Sequence, residues 1–255
     1  MKTTLFSSTR VRRAVLAMVL IGAHTAQASV VINSTRIVYG QNDREVTVRL
    51  ESKNQAPVLA QVWLDSGDEQ ATPERAGVPF VVTPPIFRME PGKQQVARLA
   101  YTGDALPQAQ ESLFWFNLLE VPAQSSTALQ GNQLQLAFRS RIKLFFRPAN
   151  LPYRVEDAPE KLQWRRVSTH QGQAVEVFNP TPYYVTFDQI DVLEAGQRHP
   201  RKPPVSGAEN MVVPGGRNRF DLPTLNSAPG VAATVAFKTL DDFGVKVAHS
   251  ATAPP

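Results

Sequence analysis

QLQLAFRSRIKLFFRP, residues 133–148, places Leu134, Leu136, Phe138, Ile142, Leu144 and Phe146 on alternate positions. The intervening positions are mostly polar or basic and end in Lys143 and Arg147. A period of two is the pattern of a half-buried β-strand. Strands usually run to about six residues, and a long apolar edge is an aggregation hazard unless it exists to pair with something. The stretch therefore predicts a strand meant for another polypeptide.

The start of the chain calls for a separate reading. Lys2, Arg10, Arg12 and Arg13 precede an apolar run over residues 14–23, and Ala26-Gln27-Ala28 has the small-x-small form of a cleavage site. Such a run is too short for a bilayer core of about 30 Å. Residues 1–28 read as a secretory signal peptide, with Ser29 as the first mature residue and an exported product. The 27 Lys+Arg and 22 Asp+Glu give the whole chain +5, but four of the basic residues and none of the acidic ones lie in that segment, leaving +1 for the remainder. A nucleic-acid partner loses its electrostatic basis. The absence of cysteine excludes disulfides and thiol chemistry. No later segment is apolar enough to span a membrane, so no membrane insertion is expected.

Turn signals are dense and no long helical period is present. Val46–Leu50, Ala60–Leu64, Leu113–Leu118 and an opening strand within residues 30–39 are spaced as in an antiparallel sandwich. Two prolines in Pro148-Ala-Asn-Leu-Pro152 mark a boundary. The organisation predicted is a domain over 29–148, a linker at 149–152, a second β domain over 153–247 and a disordered, proline-containing tail at 248–255. Residues 198–208 read as an exposed loop, and Trp63, Trp115, Phe116 and Trp164 as core.

Enzyme signals are poor. His170, His199 and His249 have no metal-binding spacing, and no nucleophile elbow, H-E-x-x-H or phosphate-cradling glycine loop is present. No catalytic residue, metal or cofactor is expected. Arg36 and Lys143 stand 107 positions apart, on what would be the first and last strands of one sandwich. If the two share a cleft they repel unless an anion sits between them, and a carboxylate would accept charge-assisted hydrogen bonds from both. Spacing alone favours the plainer reading, in which each is a solvated strand residue with its own acidic partner. Glu111, Arg147 and Asp242 sit at strand ends or turns near the boundary, where charges can pair and fix an inter-domain angle.

Ser34-Thr-Arg36, Thr83-Pro-Pro-Ile-Phe-Arg88, Met89-Glu-Pro-Gly92, Glu111-Ser-Leu-Phe-Trp-Phe-Asn117, Arg141-Ile-Lys-Leu-Phe-Phe-Arg-Pro148 and Asn179-Pro-Thr-Pro-Tyr-Tyr-Val185 occur in this order. Together they resemble the PapD-like periplasmic pilus chaperones of the chaperone–usher family, over nearly the whole mature chain. The resemblance implies an all-β fold of two immunoglobulin-like sandwiches in an L or boomerang. It implies that Arg36 and Lys143, assisted by Thr35, anchor a pilus subunit's C-terminal carboxylate, which reverses the preference drawn from spacing. It implies that Leu134, Leu136 and Phe138 fill the groove of a subunit lacking a strand, and that Glu111, Arg147 and Asp242 form an inter-domain ionic network. Three such side chains give about 5–9 kcal/mol of gross burial before ordering costs. The subunit would then pass to an outer-membrane usher, with no cofactor. Residues 122–132 are few, which is similar to the short-loop branch of the family. Strict alternation puts Lys143 on the opposite face from Leu134, Leu136 and Phe138, and a bulge or a strong twist between Arg139 and Ile142 would reconcile them. A fimbrial subunit or adhesin-like sandwich protein is the alternative class, and an exported enzyme a third. Whether the free chain caps its strand as a self-paired dimer is left open by the residues.

Overall fold

The computed structural model describes residues 29–75, 77–123, 136–170, 172–207, 209–226, 230 and 232–254. Leu134 and the signal segment lie outside them. Among the described residues nine strands build the first domain: β1 (Val30–Ile32), β2 (Arg36–Gly40), β3 (Val46–Ser52), β4 (Val58–Asp65), β5 (Phe80–Thr83), β6 (Ile86–Met89), β7 (Gln94–Tyr101), β8 (Ser112–Pro122) and β9 (Phe138–Arg147). They form one sheet of order β1-β3-β7-β5 and a second of order β2-β9-β8-β4-β6. Alternation sends Leu50 and Leu99 from one sheet, and Phe116, Leu118, Leu144 and Phe146 from the other, into a shared core.

The second domain holds β10 (Gln163–Thr169), β11 (Gly172–Phe178), β12 (Val185–Glu194), β13 (Gln197–Pro200), β14 (Met211–Val212), β15 (Arg217–Leu222), β16 (Ala233–Leu240) and β17 (Lys246–Ala253). Its sheets run β10-β11-β15 and β13-β12-β16-β17, with β14 paired to β12. Trp164, Phe187, Phe220 and Phe237 meet edge-on or tilted at its centre. No helix among the described residues is long and apolar enough to cross a membrane.

Several expectations are corrected. Residues 248–253 are not a disordered tail but most of β17, paired along β16 as far as Ala233↔Ala253, and Arg166 N donates to Pro254 O. Small residues suit an edge ladder whose outer face is wet, so composition there misleads. The loop at 198–208 begins with a strand, β13, and His199 and Arg201 are buried. The opening segment is two strands on opposite sheets rather than one. The decisive strand starts at Phe138, because Leu136 and Ala137 carry no ladder. Register from Ser112↔Phe146 to Glu120↔Phe138 is unbroken, so no bulge lies between Arg139 and Ile142. Finally, Phe116 and Trp164 are core and Trp63 is buried as expected, though on the outer face of the β4-β8-β9 sheet; Trp115, on that same face, is only half-buried, and both lie under arginines.

Candidate functional site

The chain's crossing from β1 to β2 creates the site. After Ile32 it leaves the first sheet and joins the second alongside β9, in the only parallel pairing among the described strands. That pairing covers Lys143–Arg147 of β9 and begins at Arg36↔Lys143. Among the described residues, Phe138–Ile142 are paired on the β8 side alone. Toward those residues their other edge is open backbone, the template onto which a further strand can add. Phe138, Ser140 and Ile142 share a face with Leu144 and Phe146, which seal the domain's own core. One ribbon thus closes its own sandwich from Ile142 onward and presents the same face outward at Phe138. Phe138 is 49% exposed, and Leu136, just upstream, 55%.

The opposite face of β9 carries Arg139, Arg141, Lys143, Phe145 and Arg147. Lys143 is 8% exposed and Arg36 9%. Lys143 makes no hydrogen bond or ion pair with a described residue; its Nζ lies 5.8 Å from the centre of the Trp115 ring. Burial, then repulsion from Arg36, lowers its pKa to about 8. Arg36 donates from Nη1 to Leu240 O at 2.9 Å, while its buried Nε has no partner. Burial also lowers Arg36, against the pull of Asp242, Asp241 and Glu111, none of which pairs with it directly. Two adjacent, dehydrated cations with no described carboxylate between them can take an anion that bridges them. Thr35 is exposed and faces Gly244 in the β16–β17 turn. That glycine has φ +81°, and a Cβ there would collide with Thr35 Oγ1. Beside Arg36 a cavity of about 180 Å³ opens between the domains, lined by Phe145, Pro159, Tyr184, Leu240 and Phe243 among others.

Sequence reading missed the group that holds β9 in place. Asp65, at the end of β4, is fully buried. It accepts from Arg141 Nη2 at 2.6 Å, Arg139 Nη2 at 3.4 Å, Asn117 Nδ2 at 2.7 Å and Gly67 N at 2.7 Å. Asn117 Oδ1 in turn accepts from Arg139 and Arg141. The two guanidinium groups lie 4.8 Å and 4.7 Å from the ring centres of Trp63 and Trp115. The open-edged part of β9 is therefore clamped on its outer face. The sequence signal was the period-2 spacing of Arg139, Arg141 and Lys143; nothing marked Asp65.

At the far end of β9, Arg147 bridges the domains. It donates from Nε to Glu111 Oε1 at 2.7 Å, and from Nη1 and Nη2 to Asp242 at 2.6 Å and 2.8 Å. Glu111 Oε2 accepts from Tyr184 N at 2.9 Å. Burial raises the Glu111 pKa above its ordinary value, against the pull of Arg147 and the bond from Tyr184 N. Burial also opposes the charge of Arg147, but Asp242 and Glu111 outweigh it and hold that residue above its ordinary value.

A two-domain immunoglobulin-like protein with an open strand edge beside a cationic pair defines a class, and the comparisons name it. The family model for the pili and flagellar-assembly chaperone PapD N-terminal domain matches residues 29–152, and that for the C-terminal domain of the pili assembly chaperone PapD matches 157–251. The chain belongs to the PapD-like pilus-assembly chaperones. It is 40% identical over 220 residues to the probable fimbrial chaperone YadV of Escherichia coli K12, covering 85% of this chain and 87% of that one. It is 38% identical over 226 residues to the chaperone protein FimB/FhaD of Bordetella pertussis, covering 87% of each. The YadV crystal structure superposes with TM-score 0.73 at 38% identity, covering 88% of this chain and 98% of that one. The Salmonella enterica SafB chaperone, in complex with the SafA pilin, gives 0.71 at 25% identity over 91% and 99%.

Proposed function

We propose that this chain is an exported periplasmic chaperone that lends β9 to a pilus subunit lacking a strand, anchors the subunit's C-terminal carboxylate between Arg36 and Lys143, and yields it to an outer-membrane usher. The observation that carries the reading is the juxtaposition on one strand: an edge open over Phe138–Ile142, followed at once by the unpaired cation Lys143 beside Arg36. A strand added there would pair its backbone with β9 and receive Phe138, Leu136 and Leu134 in its groove. The carboxylate fixes register, since a slip of one residue turns the wrong side chains inward. Thr35, next to Arg36, supplies a hydroxyl on the cleft side. Glu111, Arg147 and Asp242 set the relation of the domains. No bond is made or broken, so the action is binding rather than catalysis and uses no nucleotide or metal.

The test is co-purification of a subunit from the periplasm with wild type, Arg36→Ala and Lys143→Ala, each checked for fold by circular dichroism. Capture by wild type and its loss in both folded variants is the expected result. Capture surviving both changes contradicts the anchor.

A further inference from the structure

Glu120, on β8, points into the end of the first sandwich and is 3% exposed. It forms no ion pair with any described Lys, Arg or His; its one hydrogen bond is from the backbone N of Val30, at 2.6 Å. A buried carboxylate without a cation is costly. Val30 opens β1, a strand of only three residues, and this bond ties it to the opposite sheet. Ser29 O accepts from Lys53 N at 3.1 Å, which fixes the preceding residue as well. Standard bond lengths keep the Ser29 nitrogen within about 3.6 Å of the Val30 nitrogen, close enough to reach the same carboxylate. A second observation marks this end of the core as short of polar partners. Ser52, the register partner of Val30, buries its Oγ without a hydrogen bond, and Asn54 its Nδ2.

We propose that Glu120 is the binding site for the α-ammonium group that cleavage after Ala28 creates on Ser29. The inference rests on the signal-peptide reading. In the precursor the Ser29 nitrogen is a neutral amide, and Glu120 keeps only hydrogen bonds from uncharged donors. After cleavage the same atom is a cation beside a buried carboxylate. The first domain then reaches full stability only once the leader is gone, which keeps the precursor easier to unfold while it is exported. The added strength is that of a charge-assisted hydrogen bond.

A thermodynamic cycle on purified protein tests it. Chains beginning at Ser29 are compared with chains extended by Ala-Ala before Ser29, each with Glu120 and with Glu120→Gln, in denaturant titrations. The extension is expected to raise the unfolding constant about tenfold or more in the Glu120 background and to leave the Glu120→Gln background unchanged. An equal effect in both backgrounds, or none in either, overturns the pairing. Should Glu120→Gln fail to fold, Nα-acetylated Ser29 protein is compared with the free amine: a tenfold loss supports the pairing and no loss overturns it. Mass spectrometry of the periplasmic protein keeps the two readings distinguishable. A first residue other than Ser29 overturns the link to processing, whatever the cycle says of the pairing.

Discussion

Lys143 gives up its hydration on folding and acquires Arg36 as a neighbour, so its charge is a cost that only an anion relieves. With the folded pKa near 8 and the unfolded one about 10.4, the unfolded chain binds more protons between those values. Stability of the free protein therefore carries the full cost below pH 8 and recovers it as pH rises from 8 towards 10.4. A subunit carboxylate would raise the folded pKa again, so affinity should fall over the same range. Titrating subunit affinity from pH 7 to 10 checks this, and Lys143→Met should flatten the slope. The same substitution should stabilise the free protein by about 1 kcal/mol while weakening capture, a trade-off read by comparing denaturant midpoints with affinities. The sequence singled out Arg36 and Lys143 as residues, but their side-by-side register depends on a parallel pairing that no local pattern encodes. Asp65 was invisible for a related reason. An acidic residue at a strand end looks solvated until two arginines from a distant strand are seen to bury it.

β9 was legible as a strand because its alternation is strict, and its opposite faces were legible from the same parity. Its observed start at Phe138 was not, since apolar alternation runs on to Leu134 without regard to where ladder partners end. The outward placement of Trp63 and Trp115 was equally hidden: large aromatics read as core, and the arginines stacked on them help to cover them on the sheet's other face. Two consequences belong to this strand. Phe138→Ala should change the stability of the free protein by no more than about 0.5 kcal/mol, since the side chain is half exposed. It should cost about 1.5–3 kcal/mol in subunit affinity. Measuring both on one preparation separates the lent half of β9 from the half that seals its own core. Asp65→Asn, by contrast, leaves Arg139 and Arg141 without their shared anion and should cost about 3 kcal/mol of stability. Hydrogen exchange should also quicken across Phe138–Ile142. Unchanged exchange there would mean that the network does not hold the strand.

Among the described residues the two sandwiches are joined by hydrogen bonds from Arg147 to Asp242, from Tyr184 N to Glu111, from Glu111 N to Pro182 O and from Arg36 to Leu240 O. Asp242 lies in the same turn as Gly244, opposite Thr35, so one hairpin of the second domain both receives Arg147 and, through Leu240 O, reaches Arg36. Asp242→Asn should therefore loosen the domains without unfolding either. Small-angle scattering is expected to show a broader particle, and proteolysis to quicken within residues 148–154, with each domain's melting unchanged. The proposed addition of a subunit strand to the open edge of β9 is read out by hydrogen exchange of the Phe138–Ile142 amides, measured on the free protein and on its purified complex with a subunit. Strong protection appearing on capture, confined to that segment and its neighbours, is the predicted result. Amides that exchange as fast in the complex as in the free protein would contradict it.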